Sequence, residues 1–139
     1  MRLTRRYRFC ASHRLHSGAL SEAENRALYG KCNNPFGHGH DYVLEVSIRG
    51  PLDPATGQLA PVGVLDRLVN DAVIAPMDHR NLNLEVPAFA AAVPTSENLA
   101  GEIERRLREA WPPAFSDSSV ALAGIRLRET KRNSFETAS

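Results

Sequence analysis

No apolar run in this chain approaches the ~18 residues that a membrane-spanning helix needs. The opening residues, Met1-Arg2-Leu3-Thr4-Arg5-Arg6, contain no apolar export core either. The expected location is therefore the cytoplasm, with no membrane partner. Charge of one sign is not in excess: 17 Lys and Arg stand against 16 Asp and Glu, a formal net charge of +1. That balance argues against a nucleic-acid binder, whose footprint is a surplus of cations. The local basic groups, Arg5, Arg6 and Arg8 and then Arg126, Arg128, Lys131 and Arg132, read as solvated strand faces. Cysteine is scarce. Cys10 and Cys32 could pair in principle, but a reducing cytosol leaves them as free thiols. Repeats, low-complexity tracts and dividing linkers are also missing. A chain of 139 residues without a divider is expected to form a single domain over 1–139, large enough to bury its own core.

Periodicity supplies the elements. Leu3 to His13 alternates as a strand does, with Leu3, Tyr7, Phe9, Ala11 and His13 on one face. Arg6, Arg8, Cys10 and Ser12 fall on the other face. Residues 14–37 carry Gly18, Gly30, Asn33, Asn34, Pro35 and Gly37, and read as a long irregular connection of the kind that serves function. A second strand is expected from about Gly39 to Arg49, with Tyr42, Leu44, Val46 and Ile48 on one face. Leu65, Leu68, Val69, Ala72 and Val73 predict a helix ended by Pro76. Thr95 can cap a second helix, striped by Leu99, Ile103 and Leu107 and stopped by Pro112-Pro113. A third strand is expected over about Ala123 to Thr130, and a short fourth around Asn133 to Thr137. Two strands, two helices and then strands predict an α+β fold, with helices on one face of an antiparallel sheet.

The chemistry concentrates in Cys32-Asn33-Asn34-Pro35-Phe36-Gly37-His38-Gly39-His40. Residues i and i+2 of a strand point the same way, ~6.6 Å apart, so His38 and His40 can converge on one ion. His13 continues the apolar face of the first strand. If the two strands pair antiparallel, all three imidazoles meet at one end of the sheet. Three histidines with an open fourth position is the pattern of a catalytic zinc site. His16 falls in the polar loop and is expected at the surface. Cys32 is either a small packed residue or a thiol poised for proton transfer beside a cation. Asp78-His79 can hold a poised imidazole, or can simply end a helix. Glu129 ends the apolar face of the third strand and needs a partner there, either a salt bridge or a ligand with several N–H donors.

Several stretches, taken together, resemble a known family. They are Phe9 to Leu15, Cys32 to Tyr42, Asp78 to Asn83, Pro94 to Asn98, and Arg128-Glu129-Thr130. They are similar, in order, to the motifs of the 6-pyruvoyl-tetrahydropterin synthase / 6-carboxy-tetrahydropterin synthase family. The resemblance implies the T-fold (tunnelling fold), sheets joined into a barrel between subunits, and a homohexamer made as a dimer of trimers. It also implies active sites at subunit interfaces and 7,8-dihydroneopterin triphosphate as the small-molecule substrate. His13, His38 and His40 match the family's Zn2+ ligands. Cys32 matches the general base, with Asp78 and His79 its proton-transfer partners from a neighbouring subunit. Glu129 matches the carboxylate that grips the pterin ring, and Thr95, Ser96 and Glu97 lie where further pterin contacts are made. A carboxylate suits that ring because an amino group and a ring N–H stand side by side, like a guanidinium fork.

Asp41, Cys10 and Gln58-Leu59-Ala60-Pro61 depart from the family pattern, and the last of these leaves the start of the first predicted helix undefined. Asp41 is expected to point away from the metal. Five residues separate Cys32 from His38, as in the pyruvoyl-forming synthases. The carboxy-forming activity of queuosine biosynthesis is the second reading. A non-catalytic metal- or pterin-binding subunit is the third, disfavoured because Cys32, Asp78 and His79 are all present.

Overall fold

The structure, a computed structural model, describes residues 1–116 and 119–138. Two twelve-residue strands, β1 (Arg2–His13) and β2 (His38–Arg49), form its spine. They pair antiparallel without a break, from Arg2 opposite Arg49 to His13 opposite His38. Because side chains alternate, this register puts Phe9, Ala11 and His13 on one face together with Tyr42, Leu44, Val46 and Ile48, all of them buried. The short β3 (Arg80–Asn81) lies parallel to Ala11 and Ser12 of β1. On the other side follow β4 (Ala121–Arg128) and β5 (Ser134–Ala138), giving the order β3-β1-β2-β4-β5.

Helices cover the apolar face. α2 (Val62–Val69) enters behind Pro61 without a side-chain cap and buries Leu65, Leu68 and Val69. A π-helical turn (Asn70–Ile74) and α3 (Ala75–Met77) carry it on, so the predicted helix passes through Pro76 and ends at Met77. The short α4 (Leu82–Glu85) follows β3. α5 (Ser96–Ala114) lays Leu99, Ile103 and Leu107 on the sheet, and the Thr95 hydroxyl accepts from Asn98 N at 3.2 Å, as the capping pattern predicts. Pro112 and Pro113 do not stop α5 as expected. They sit inside its last turn, where the carbonyls they leave unbonded belong to the half-exposed helix end, and Phe115 N closes the turn on Trp111 O at 2.9 Å.

The third strand starts earlier than its apolar pattern suggested. Ala121 pairs with Arg49 through a bulge at Ser47/Ile48, and the strand ends at Arg128, one residue before Glu129.

The larger departure lies in residues 14–37, read as irregular. They contain α1 (Glu22–Tyr29) and a 3-10 turn, Gly30–Asn33. α1 has no apolar stripe, so hydrophobic periodicity could not find it. Its one buried residue is Asn25, whose side-chain oxygen accepts from Ser17 N at 2.7 Å while its amide donates to the carbonyls of Ser17 and Ser21. The signal that was available is local: Ser21 and Glu24 form a reciprocal capping box.

Candidate metal and catalytic site

The β1–β2 register brings the histidines together as the sequence implied. His13 is opposite His38, and His40 lies two residues along the same face. Gly37 makes the entry possible. Its φ is 81°, and a Cβ there would stand 3.2 Å from the His13 carbonyl oxygen. The His13 and His40 ring centres are 4.6 Å apart, and His38 stacks on His40 at 4.7 Å.

Among the described residues, one group could hold a metal ion: His13, Cys32, His40 and Glu129, with one donor atom from each lying within 4.8 Å of the others. Cys32 Sγ is 3.7 Å from His40 Nε2. Glu129 Oε1 is 3.0 Å from His40 Nδ1 and 3.9 Å from His13 Nε2. His38 is not in that group. Its Nδ1 lies 3.0 Å from Gly39 O, and its ring covers the outer side of His40.

His13 gives the sharpest indication of a missing partner. The side chain is fully buried, Nδ1 lies 3.2 Å from the Tyr42 hydroxyl, and Nε2 has no hydrogen-bond partner. A buried polar atom left alone is costly, and one aimed among other donor atoms fits a cation. With the proton on Nδ1, the Nε2 lone pair is free for that cation. Tyr42 had been read only as part of the apolar strand face. Its hydroxyl role was not visible, because only the paired register puts it beside His13.

The chain's own field keeps these groups neutral. Burial, reinforced by His40, lowers the His13 pKa to about 4 against the opposing pull of Glu129. Burial likewise lowers His40. For Cys32, burial pushes the thiol up and Glu129 adds to it, while Lys31 opposes. Unprotonated imidazoles are the state that binds metal. A thiolate at Cys32, in contrast, needs positive charge that the two lowered imidazoles do not supply; a divalent cation in the group would.

The remaining predicted residues divide. Ser96 is buried at the start of α5, and its hydroxyl donates to Glu129 Oε2. Thr95 caps the helix, and Glu97 is exposed on its first turn with no contact to the group. Asp78 and His79 stand apart, beside β1. Cys10 N donates to Asp78 Oδ1 at 2.9 Å, and His79 N donates to Cys10 O at 2.6 Å. His79 adopts φ 57°, rare for a residue with a side chain, and its ring is 80% exposed with Nε2 3.6 Å from Asp78 Oδ2. Asp41 accepts from the Cys10 thiol at 2.6 Å on the face away from the histidines, as expected. His16 is half-buried rather than at the surface, because its Nδ1 lies 3.1 Å from the Asn33 side-chain amide that also donates to Leu15 O.

The chain is also similar to known proteins along most of its length. A relative from Homo sapiens, 6-pyruvoyl tetrahydrobiopterin synthase, is 46% identical over 131 residues, covering 94% of this chain and 86% of its own. The enzyme of the same name from Poecilia reticulata is 44% identical over 131 residues, covering 94% and 85%. The solved structure of Caenorhabditis elegans 6-pyruvoyl tetrahydropterin synthase superimposes with a TM-score of 0.89 at 37% identity, over 100% of this chain and 95% of that one. The fold is therefore the α+β T-fold of these synthases. The model of the 6-pyruvoyl tetrahydropterin synthase family matches residues 2–139, and the chain belongs to that family.

Proposed function

We propose that this chain is a zinc-dependent lyase that converts 7,8-dihydroneopterin triphosphate to 6-pyruvoyl-tetrahydropterin with loss of triphosphate. The observation that carries the metal part is the unpartnered Nε2 of buried His13, aimed among the donors of Cys32, His40 and Glu129. His13, His38 and His40 would hold the ion, His38 by turning its ring from the Gly39 carbonyl. Bound there, the ion would polarise the oxygens of the substrate side chain.

The chain's own residues divide the remaining work. Glu129 accepts from the pterin's adjacent N–H donors, held in place by Ser96, with Thr95 and Glu97 at the same helix start. Cys32 takes a proton from the side chain. Asp78 and His79 carry protons onward and come from a neighbouring copy, since in their own chain they are tied to Cys10.

That last assignment requires an oligomer, and the homohexamer (a dimer of trimers) fits it. Among the described residues, β1 has no strand partner beyond Ala11 and Ser12 on its β3 side and the far edge of β5 is open, so copies can close sheet to sheet. The whole of 1–139 acts as one domain, and the cytoplasm is its location; among the described residues no helix is long and apolar enough to cross a membrane.

Incubation of the zinc-loaded protein with 7,8-dihydroneopterin triphosphate tests the reading, with products identified by mass spectrometry. A 6-pyruvoyl product is expected. The 6-carboxy product with acetaldehyde would assign the sister reaction, and unchanged substrate would leave only a binding role.

A further inference from the structure

Beside the donor group lies a second feature that neither the metal nor the ring contacts use. A cavity of about 370 Å³ is bounded by Arg14, His16, Glu22, Arg26, Lys31 and Asn33. It adjoins the site through the chain itself, since Arg14 follows His13, and Lys31 and Asn33 flank Cys32. Its walls are fixed. Leu15 N donates to Cys32 O at 2.8 Å, and Arg14 Nε donates to Asn33 O at 3.2 Å.

Its charge is not compensated. Among the described residues, Arg14, Arg26 and Lys31 have no carboxylate within 4.0 Å, whereas Arg105, Arg106 and Arg108 on α5 are all paired with glutamates. Glu22 also lines the cavity, which leaves an excess of cations over the one anion. Three unneutralised cations on a concave wall attract anions, and guanidinium groups match phosphate oxygens in fork geometry.

We propose that this cavity seats the triphosphate chain of the substrate, with Arg26 and Lys31 as its outer contacts and Arg14 nearest the histidines. The proposal rests on the reaction assigned above. With the ring at Glu129 and the side chain over Cys32, the phosphates extend past Lys31. The proton that Cys32 takes leaves its electron pair to form a carbon–carbon double bond as the carbon–oxygen bond to triphosphate breaks, and the pair of the broken bond stays on the leaving oxygen, adding negative charge to a group the cations already hold. The cavity is then a binding subsite and an aid to departure of the leaving group.

Titration calorimetry with inorganic tripolyphosphate tests this on the zinc-loaded protein, beside Arg26→Ala, Lys31→Ala and the double variant. All the replaced side chains are exposed, so folding is not at issue. Affinity for tripolyphosphate should fall roughly tenfold per cation removed. Affinity for unphosphorylated 7,8-dihydroneopterin should stay at the parental value, and KM for the triphosphate should rise more than kcat falls. Arg67→Ala, an exposed cation on α2, should bind tripolyphosphate as the parent does. Parental tripolyphosphate affinity in the double variant, or an equal loss in Arg67→Ala, overturns the site. If turnover persists with unchanged KM in the double variant, the reaction stands and the cavity assignment falls. If tripolyphosphate binding depends on Arg26 and Lys31 but no product forms, the anion site stands and the reaction reading falls.

Discussion

The donor group at the end of β1 and β2 and the Asp78-His79 turn beside β1 were both read as parts of one machine, yet they are built by opposite means. The donor group is half-buried to buried, and side chains hold side chains: Tyr42 on His13, Ser96 on Glu129, His38 on His40. The turn is partly open to solvent and held to Cys10 by one backbone bond and by the Asp78 carboxylate, with His79 in a strained conformation and its ring exposed. A site that must keep an ion's geometry is over-determined by its own chain. The Asp78-His79 pair, proposed to serve another copy, is tied to its own strand through Asp78 and leaves the His79 imidazole outward. The left-handed backbone at His79 is held by its N–H bond to Cys10 O and by the pairing of Arg80 with Ala11, and it leaves the ring exposed.

The strongest way to break this contrast is to remove a donor. His40→Ala should abolish stoichiometric zinc and activity together, whereas His79→Ala should keep full zinc; elemental analysis reads both. Equal metal content in the two variants would dissolve the distinction. Next in size is Cys32→Ala, which should lower single-turnover rate by about 10²–10⁴-fold, with zinc and pterin affinity nearly intact. Turnover at the parental rate would end its role as base. Glu129→Ala should show the reverse pattern, with pterin binding weakened first. Mixing then sharpens the comparison. Cys32→Ala and His79→Ala, each impaired alone, should recover part of the activity when their subunits are unfolded and reassembled together, because some sites would combine two intact halves. No recovery in oligomers proven to be mixed would place both residues in the service of one chain. The smallest effect belongs to Tyr42→Phe. It removes the hydroxyl beside His13 Nδ1 and should weaken zinc by roughly 10–100-fold while leaving the fold in place.

Acid offers a further test of the buried side. A histidine whose folded pKa lies below its unfolded value favours the neutral form in the native state, so the unfolded chain takes up protons first. For His13 the window runs from the ordinary 6.5 down to about 4, and burial gives His40 the same sign. The metal-free protein should therefore lose thermal stability as pH falls through that range. His13→Gln should flatten the loss.

The sequence made the meeting of the three histidines legible because strand alternation and antiparallel pairing are enough to aim His13, His38 and His40 at one end, although His38 stays outside the donor group. It could not say that Glu129 and Cys32 close on the same point, because that depends on the β2–β4 register and a 3-10 turn rather than on periodicity. α1 was missed for a related reason. Its buried side is a single asparagine satisfied by backbone, so hydrophobic pattern carries no trace of it. Pro112 and Pro113 misled in the other direction, since a proline near a helix end can occupy the last turn, where the missing bonds fall on carbonyls that water can serve.

The bond from Leu15 N to Cys32 O closes the neck of the excursion between them. The chain leaves β1 and returns almost to where it left, so the intervening stretch is a cassette attached at one point. None of His13, Cys32, His40 and Glu129 lies within it, but Arg26 and Lys31 do. Such a layout separates two kinds of inheritance. Exchanging the cassette would replace the cations on its surface and leave in place the strands that carry the three histidines.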